Sequence, residues 1–330
     1  MRTTTLADEG APAVPAAVAP GWSVGVDIGG TKVLAALLDP HATLVGTHRA
    51  PTVPGPDGLV DAVATAVRTL AAEHGVPPAA LVGVGVGVPG VVDPGAGSVE
   101  HAVNVGVTHR FALADAVADV LGLPGRVHLE NDLNVAVLGA EHAVPAPPGT
   151  GRDLAFLALG TGVAAGLLLD GRLRRGAHRA AGEVGHLTLV PDGLPCKCGQ
   201  RGCVEQYASG SALDAAWPSR TGRPSPVEVF EAAAAGDAQA RAVRDRFAWA
   251  VASAVRVLVL TCDVDRVVLG GGVARLGEPL LGAVRAVLED ESRASPFLAS
   301  LRVADRLRLA PPDVPVGAVG AALVGRGEVD

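Results

Sequence analysis

The chain has 330 residues, of which 49% are hydrophobic and 18% charged, and its formal net charge is −7. The composition is typical of an α/β enzyme with many tight turns, and the length favours two domains because one hydrophobic core rarely organises so long a chain. The acidic balance argues against general affinity for nucleic acid or membranes, and no apolar run reaches the roughly 20 residues that cross a bilayer. We expect a cytoplasmic protein with residues 1–21, rich in Ala and Pro, as a disordered tail.

The predicted elements alternate strands and helices and begin with a hairpin. The strand from Val24 leads through Asp27-Ile-Gly-Gly-Thr-Lys32 into a second strand, Val33–Leu38, and a glycine turn between two apolar runs is typical of a β-hairpin. The pattern then predicts a helix over residues 58–74, buried strands at Leu81–Val88 and Arg126–Leu129, and a helix from Asp132 to about His142. Residues 143–153, which include three prolines, predict a linker or surface loop.

A second hairpin repeats the pattern of the first. It consists of Leu154–Leu159, the turn Gly160-Thr161-Gly162 and Val163–Leu169. Asp170 follows this hairpin, as Asp39 follows the first one. The repeat suggests two related lobes, each with a backbone-lined turn, and two such turns can hold a phosphate chain from both sides. Two unrelated hairpins are the alternative.

A third glycine cluster lies near the end of the chain. Gly270-Gly271-Gly272 follows a predicted strand, Arg266–Leu269, and a predicted helix, Arg246–Leu260, precedes that strand. Adjacent glycines let the backbone approach a ligand closely, although a simple strand-to-helix turn is the alternative.

One further glycine motif has the spacing of a dinucleotide fingerprint, Gly85-Val-Gly-Val-Pro-Gly90. The fingerprint requires a helix that begins within the glycines, whereas Pro89 and the residues after it indicate extended chain. We therefore do not expect a dehydrogenase.

One histidine and three cysteines lie within eighteen residues, at His186, Cys196, Cys198 and Cys203. Thiolate and imidazole ligands are typical of closed tetrahedral Zn²⁺ sites, so we predict a structural zinc ion that fixes the loop between Glu183 and Glu205. A disulfide or a chance group of buried thiols is the alternative, but no secretory signal is recognisable to imply an oxidising compartment. The remaining cysteine, Cys262, is predicted to be a small core residue.

Asp132 is the candidate general base. It follows a predicted buried strand, and ligands of α/β proteins bind where such strands end. There its carboxylate can accept the proton of a substrate hydroxyl as the oxygen attacks phosphorus, while Asn131 can donate to and accept from a sugar hydroxyl. The alternative is a helix N-cap, which aspartate often provides at such a junction.

In this order the motifs resemble the ROK family, and its bacterial glucokinases most closely. The resemblance covers nearly all of residues 22–325 and rests on Asp27–Lys32, Gly85–Asp93, Glu130–Asp132, Gly160–Gly162, Gly182–His186 and Cys196–Glu205. It implies an α/β, two-domain actin/hexokinase-like (ribonuclease H-like) fold with a zinc-stabilised loop. Residues 22–135 with 314–330 would form a small α/β domain, and residues 136–313 a large α/β domain that carries the zinc site.

The resemblance also implies transfer of the ATP γ-phosphoryl group to the 6-hydroxyl of glucose, with Asp132 as catalytic base. The sugar would be bound by Asn104, Asn131, Asp132, Glu183, His186 and Glu205. His186 would use one ring nitrogen for zinc and its other side for the sugar. The nucleotide would be surrounded by Gly29, Gly30, Thr31, Lys32, Thr161, Gly162, Gly271 and Gly272, and Asp27 would orient Mg²⁺ through water.

The chain departs from the family pattern at two places. Ala164 and Ala165 stand where the family has more glycine, and we expect their methyl groups to narrow the second turn. Val107 stands where the family often has an aromatic residue, close after Asn104.

Other activities occur within the family and remain alternatives. They are a kinase of fructose, mannose, allose or an N-acetylhexosamine, polyphosphate as the donor, and a sugar sensor without catalysis, which Asp132 argues against. Transcriptional repressors of the family carry a winged helix-turn-helix before the first hairpin, and the residues before Val24 leave little room for one. We expect a homodimer or homotetramer.

Overall fold

The computed structural model describes residues 21–123, 125–146 and 151–327. The first part of the chain forms β1 (Trp22–Ile28), β2 (Lys32–Leu38), β3 (Leu44–Pro51), α1 (Pro56–Glu73), β4 (Leu81–Val88), β5 (Val91–Asp93), β6 (Ser98–Glu100), α2 (Leu113–Leu121), β7 (Val127–Asn131) and α3 (Asp132–Ala143). The second part forms β8 (Leu154–Leu159), β9 (Val163–Leu169), β10 (Arg172–Leu173), α4 (Glu205–Ala208), α5 (Gly210–Ala216), α6 (Ser225–Ala234), α7 (Ala238–Cys262), β11 (Arg266–Gly270), α8 (Gly271–Ala274), α9 (Glu278–Ala294), α10 (Pro296–Leu301), β12 (Leu307–Leu309) and α11 (Val316–Gly325).

Two five-stranded sheets have the same strand order. The first sheet is β3-β2-β1-β4-β7 and the second is β10-β9-β8-β11-β12. In each sheet the hairpin strands are antiparallel, and the next strand pairs in parallel with the first strand of the hairpin. The two similar hairpins in the sequence therefore belong to two similarly built sheets. They are not unrelated turns.

Several predicted elements have the predicted bounds, and others differ at their ends. The strands β4, β8 and β9 agree, whereas β7 continues to Asn131 and α7 begins at Ala238, well before the predicted start. Within the predicted linker, residues 147–150 lie outside the described residues, as does the predicted tail apart from Gly21. No helix among the described residues is long and apolar enough to cross a membrane.

Each sheet is covered on one face by a helix that follows the other sheet. The helix α3 follows β7 of the first sheet, and the strands that it contacts most are β8 and β9 of the second. In return, α11 follows β12 of the second sheet and packs on β1, β2 and β4 of the first. The predicted domain boundary after residue 135 falls inside α3, which contacts both sheets, so the division into domains stays a prediction.

Glycines allow α3 and α11 to cross with their backbones in contact. An ideal Cβ at Gly139 would lie 1.8 Å from the carbonyl oxygen of Val316, and one at Gly320 would lie 1.7 Å from that of Val135. On the first sheet, a Cβ at Gly85 would lie 1.7 Å from the carbonyl oxygen of Ala321 in α11. Two of the glycines that have the spacing of a dinucleotide fingerprint, Gly85 and Gly87, therefore make room for α11 and α3.

The opposite face of each sheet carries a separate hydrophobic core. The first sheet packs against α1 and α2 through residues such as Val26, Leu59 and Val117. The second packs against α6, α7 and α9 through residues such as Leu157 and Val251, and Cys262 lies at the edge of this core. Cys262 is thus a partly buried packing residue, close to the prediction for it.

The helix crossing generates a stability prediction. Gly320→Ala should destabilise the fold by about 1–3 kcal/mol or more, because its Cβ must displace backbone atoms, which cannot rotate away as a side chain can. The matched control is Gly282→Ala, an exposed position in α9 where an ideal Cβ meets no described atom within 4 Å. It should stabilise the helix by up to about 1 kcal/mol. Thermal melting of both variants and the wild type measures the difference, and equal melting of the Gly320 variant and the wild type would contradict the close crossing.

Candidate active site

Asp132 lies where β7 ends and α3 begins, and its neighbour Asn131 caps the helix. The Asn131 Oδ1 accepts the backbone N–H of Leu133 at 3.0 Å, and its Nδ2 donates to the carbonyl of Gly90 at 3.4 Å. Asp132 is the first helical residue, and its Oδ1 accepts the same Leu133 N–H at 3.0 Å. The N-cap position that was the alternative role for Asp132 thus belongs to Asn131.

Three carboxylates and one lysine influence one another at this junction. Burial raises the pKa of the Asp132 carboxyl, and the charge of Glu183 raises it further. Burial also raises the pKa of Asp27 to about 7, where the charge of Asp132 adds to the rise and Lys32 opposes it. A carboxylate with a raised pKa is a stronger base, as proton removal from a hydroxyl requires.

The first glycine turn is held by a residue that the sequence analysis did not identify. Thr52 donates its hydroxyl to the carbonyl of Gly29 at 2.6 Å, and the N–H of Gly29 donates to the carbonyl of Lys32 at 2.9 Å. Gly30 and Thr31 at the tip are exposed. Asn104, predicted to bind sugar, lies beside this turn, since a Cβ at Gly30 would be 3.6 Å from its carbonyl oxygen.

The second glycine turn is in contact with Glu205. The Glu205 Oε2 accepts the backbone N–H of Val163 at 3.1 Å, and an ideal Cβ at Gly162 would lie 2.3 Å from the same oxygen. The third glycine cluster also reaches this turn, because a Cβ at Gly271 would lie 2.6 Å from the carbonyl oxygen of Leu159. Gly271 has a φ of 82°, which glycine adopts without strain.

The remaining turn residues have fewer contacts. At Gly272 an ideal Cβ meets no described atom within 4 Å, so its backbone is open to a ligand. Ala164 and Ala165 pair with Ala158 and Leu157 inside the β8–β9 hairpin. Their methyl groups therefore lie along the strand, beyond the turn that we expected them to narrow. Val107 is buried in the first core.

His186 turns its two ring nitrogens toward different groups. Its Nδ1 lies 3.8 Å from the Sγ of Cys196, and its Nε2 lies 3.9 Å from the Oε2 of Glu183. Glu183 itself is half exposed. The imidazole thus stands between the cysteines and a candidate sugar carboxylate, the arrangement expected of a residue that serves both.

The glycines on either side of Glu183 hold it close to β9. A Cβ at Gly182 would lie 1.8 Å from the carbonyl oxygen of Ala165, and one at Gly185 would lie 1.9 Å from that of Val163. No other residue fits at either position without moving the strand, which explains both glycines of the motif.

The histidine and the three cysteines form one cluster. One ligand atom from each of His186, Cys196, Cys198 and Cys203 lies within 4.8 Å of the others. The Cys198 and Cys203 sulfurs are 3.7 Å apart and all cysteines are free thiols, so the disulfide alternative is not observed. Four soft donors at this separation fit a tetrahedral metal ion such as Zn²⁺.

The thiols of the cluster differ in their readiness to ionise. The backbone N–H of Gln200 is the main group that lowers the pKa of Cys198, to about 6, so that thiol is largely ionised at neutral pH. Burial is the main cause that raises the pKa of Cys203 to about 12. A metal ion binds thiolates, so it must displace the Cys203 proton, and its affinity depends on pH.

A buried ion pair beside Asp132 was not foreseen. Glu130 is only 2% exposed. Its Oε1 accepts the backbone N–H of Asn131 at 2.9 Å and the side-chain amide of Asn134 at 2.8 Å. Its Oε2 lies 2.8 Å from Nε and 2.7 Å from a terminal nitrogen of Arg175. The sequence of β7, Val127-His-Leu-Glu-Asn131, gives no signal for this pair, because Arg175 is distant in the chain.

The comparisons with known proteins agree with this geometry. A glucokinase from Halalkalibacterium halodurans is 33% identical over 289 residues, which cover 81% of this chain and 85% of the relative. An N-acetylmannosamine kinase from Citrobacter koseri is 33% identical over 310 residues, 93% of this chain and 99% of the relative. A ROK family glucokinase from Streptomyces griseus, solved with glucose and AMPPNP, is 34% identical and matches with a TM-score of 0.75 over 93% of this chain and 100% of that one.

These similarities confirm the predicted fold class. The two-sheet α/β architecture matches the S. griseus glucokinase and, with a TM-score of 0.72 over 93% of this chain and 98% of that one, a ROK hexokinase from Thermus thermophilus. The fold is therefore the actin/hexokinase-like one. Because the profile of the ROK family also matches residues 23–324, nearly the whole described chain, this protein belongs to the ROK family.

Proposed function

We propose that this protein is an ATP-dependent glucokinase, which transfers the γ-phosphoryl group of ATP to the 6-hydroxyl of glucose. The observation that carries the proposal is the position of Asp132 at the junction of β7 and α3. Its carboxyl has a raised pKa, to which the charge of Glu183 contributes. The charge of Asp132 in turn raises the pKa of Asp27. Asp27 is the next-to-last residue of β1, beside the first glycine turn. Glu183 lies 3.9 Å from His186 of the metal cluster. A hydroxyl held near Glu183 thus has a base beside it.

The proposed mechanism uses the chain's own groups for positioning and proton transfer. Asp132 accepts the proton of the sugar hydroxyl as its oxygen attacks the γ-phosphorus in line with the leaving ADP oxygen. Asn104, Asn131, Glu183, His186 and Glu205 bind the other sugar hydroxyls. The turns at residues 29–32 and 161–162 and the glycines Gly271 and Gly272 bind the nucleotide through backbone N–H groups, and Asp27 orients the Mg²⁺ that accompanies ATP.

Two further features of the proposal come from the sequence and the donor set. We assign Zn²⁺ to the cluster of His186, Cys196, Cys198 and Cys203, where it would be structural because all four positions are filled by protein ligands. The predicted homodimer or homotetramer and the cytoplasmic location stay predictions.

A second candidate function is phosphorylation of N-acetylmannosamine. It is favoured by the kinase from C. koseri, which is as similar in identity as the H. halodurans glucokinase and aligns over more of the chain. Both candidates use the same base and donor, so they differ only in the sugar.

A panel of sugars tests the substrate. Glucose should exceed galactose and 2-deoxyglucose in kcat/KM by roughly tenfold or more, because a missing or inverted hydroxyl leaves a carboxylate or imidazole without its partner. Initial rates of sugar phosphate formation with glucose, galactose, 2-deoxyglucose and N-acetylmannosamine measure this order, with ATP or polyphosphate as the donor. Equal rates for glucose and galactose would contradict glucokinase, and a preference for N-acetylmannosamine would favour the second candidate.

Replacement of Asp132 separates catalysis from stability. Asp132→Asn should lower turnover by roughly 10²–10⁴-fold through loss of the base, while calorimetry should show nearly unchanged glucose binding. Because burial raises the pKa of Asp132 in the folded protein, the wild type loses stability as pH rises from the ordinary carboxyl range through that raised pKa. The asparagine does not titrate, so the variant should melt higher than the wild type toward neutral pH.

The control for this variant is Asp61→Asn, an exposed position on α1. It should leave turnover and melting unchanged. Near-normal turnover of Asp132→Asn would mean that another group is the base.

Removal of the metal tests the zinc assignment. Purified protein should contain about one zinc per chain, and chelation or Cys198→Ser should lower the melting temperature by several degrees and speed hydrogen exchange over residues 186–205. Cys262→Ser, outside the cluster, should keep its zinc. Protein that contains no zinc and melts identically with chelator would rule out the structural metal.

A further inference from the structure

Glu130 fixes the backbone at the start of α3. One of its oxygens accepts the N–H of Asn131, and the same oxygen accepts the side chain of Asn134 in the first turn of the helix. The carboxylate therefore ties the last residue of β7 to the helix on either side of Asp132. Because Asp132 sits between these two contacts, its direction depends on where Glu130 lies.

Arg175 holds Glu130 from the other sheet. Arg175 follows β10, the edge strand of the second sheet, whereas Glu130 lies in β7, the edge strand of the first. Two guanidinium nitrogens contact Glu130 Oε2, at 2.8 and 2.7 Å. A buried carboxylate without a cation is costly, so the contact with Arg175 holds Glu130 in its position.

We propose that Glu130 and Arg175 are positioning residues for the phosphoryl transfer, with Arg175 holding Glu130 across the two sheets and Glu130 holding Asp132 in line with the sugar hydroxyl. This inference rests on the proposed kinase function, in which Asp132 is the base. Neither residue touches the substrate. Both act through Asp132, so their loss slows the chemical step without removing a group that binds sugar or nucleotide.

A second ion pair in the same segment provides a matched control. Arg179 pairs with Asp93 at 3.1 Å and also donates to the carbonyl of Val92, so it too joins the segment after β10 to the first part of the chain. Both side chains of this pair are 39% exposed. Ion pairs that are exposed to solvent contribute little to the stability of the fold. Asp93→Asn removes the charge but keeps an oxygen for the backbone N–H of Ala96, which Asp93 accepts at 3.2 Å.

Steady-state kinetics with the best sugar of the panel test the proposal. Glu130→Gln and Arg175→Met should each lower kcat by about tenfold to a hundredfold, the range expected when a catalytic group is misplaced by about 1 Å. The sugar KM should rise by less than kcat falls, because among the proposed sugar-binding residues only Asn131 and Asp132 adjoin Glu130. Arg175→Lys should recover part of the loss, and Asp93→Asn should behave as wild type. A raised sugar KM with unchanged kcat would overturn the proposal, since it would mean that the pair serves sugar binding and not the position of the base.

Combination with Asp132→Asn separates a positioning role from an independent one. Once the base is absent its position no longer matters, so Glu130→Gln should not reduce the residual turnover of Asp132→Asn further. Losses that multiply in the double variant would overturn the proposal.

Hydrogen exchange gives a readout that does not depend on activity. The amide of Asn131 should exchange faster in Glu130→Gln and Arg175→Met than in the wild type or Asp93→Asn, in peptides that cover residues 127–134. Unchanged exchange there would overturn the positioning role. A wild type that phosphorylates no sugar would overturn the kinase function alone, because the exchange result stands without it.

Discussion

The backbone contact between α3 and α11 is the constraint on which the rest of the structure depends. Asp132 is the first residue of α3. At the start of α11, an ideal Cβ at Gly317 would lie 2.4 Å from Oδ2 of Asp27. The crossing, fixed by Gly139 and Gly320, therefore sets where both carboxylates stand.

The surroundings of Asp27 and Asp132 disfavour their charged forms, and this makes both carboxylates stronger bases. Helix N-termini favour negative charge, yet burial prevails and raises the pKa of both Asp27 and Asp132. Each charge also opposes the other, so the site gains stability when a cation or a proton enters it. In the proposed reaction, Mg²⁺ near Asp27 and a hydroxyl proton on Asp132 would both meet this need, and they would arrive together with the two substrates.

Much of the fold and of the site was predictable, and the failures share one cause. Hairpins, buried strands and the cysteine cluster follow from local patterns, since turn chemistry and ligand spacing lie within a few residues of one another. The Glu130–Arg175 pair joins an edge strand of the first sheet to the segment that follows an edge strand of the second, so no local pattern reports it. No local pattern shows that α3 and α11 each pack on the sheet that they do not follow. The sequence excluded Gly85 from a nucleotide-binding motif, but it did not show that Gly85 faces α11. Aspartate often caps a helix, so the sequence left capping as a possible role for Asp132. Only the structure showed that Asn131 is the N-cap of α3.

The metal cluster and the sugar site are linked through the protons of one imidazole. His186 Nδ1 lies on the cysteine side and Nε2 on the Glu183 side. When zinc occupies the cluster through Nδ1, the ring proton must stay on Nε2, which then donates a hydrogen bond. Glu183 can only accept one. A fixed donor next to a fixed acceptor matches two neighbouring sugar hydroxyls, one accepting and one donating. The same ring without metal could change tautomer and present a second acceptor, so in the proposed kinase a zinc ion would contribute to sugar recognition without touching the sugar.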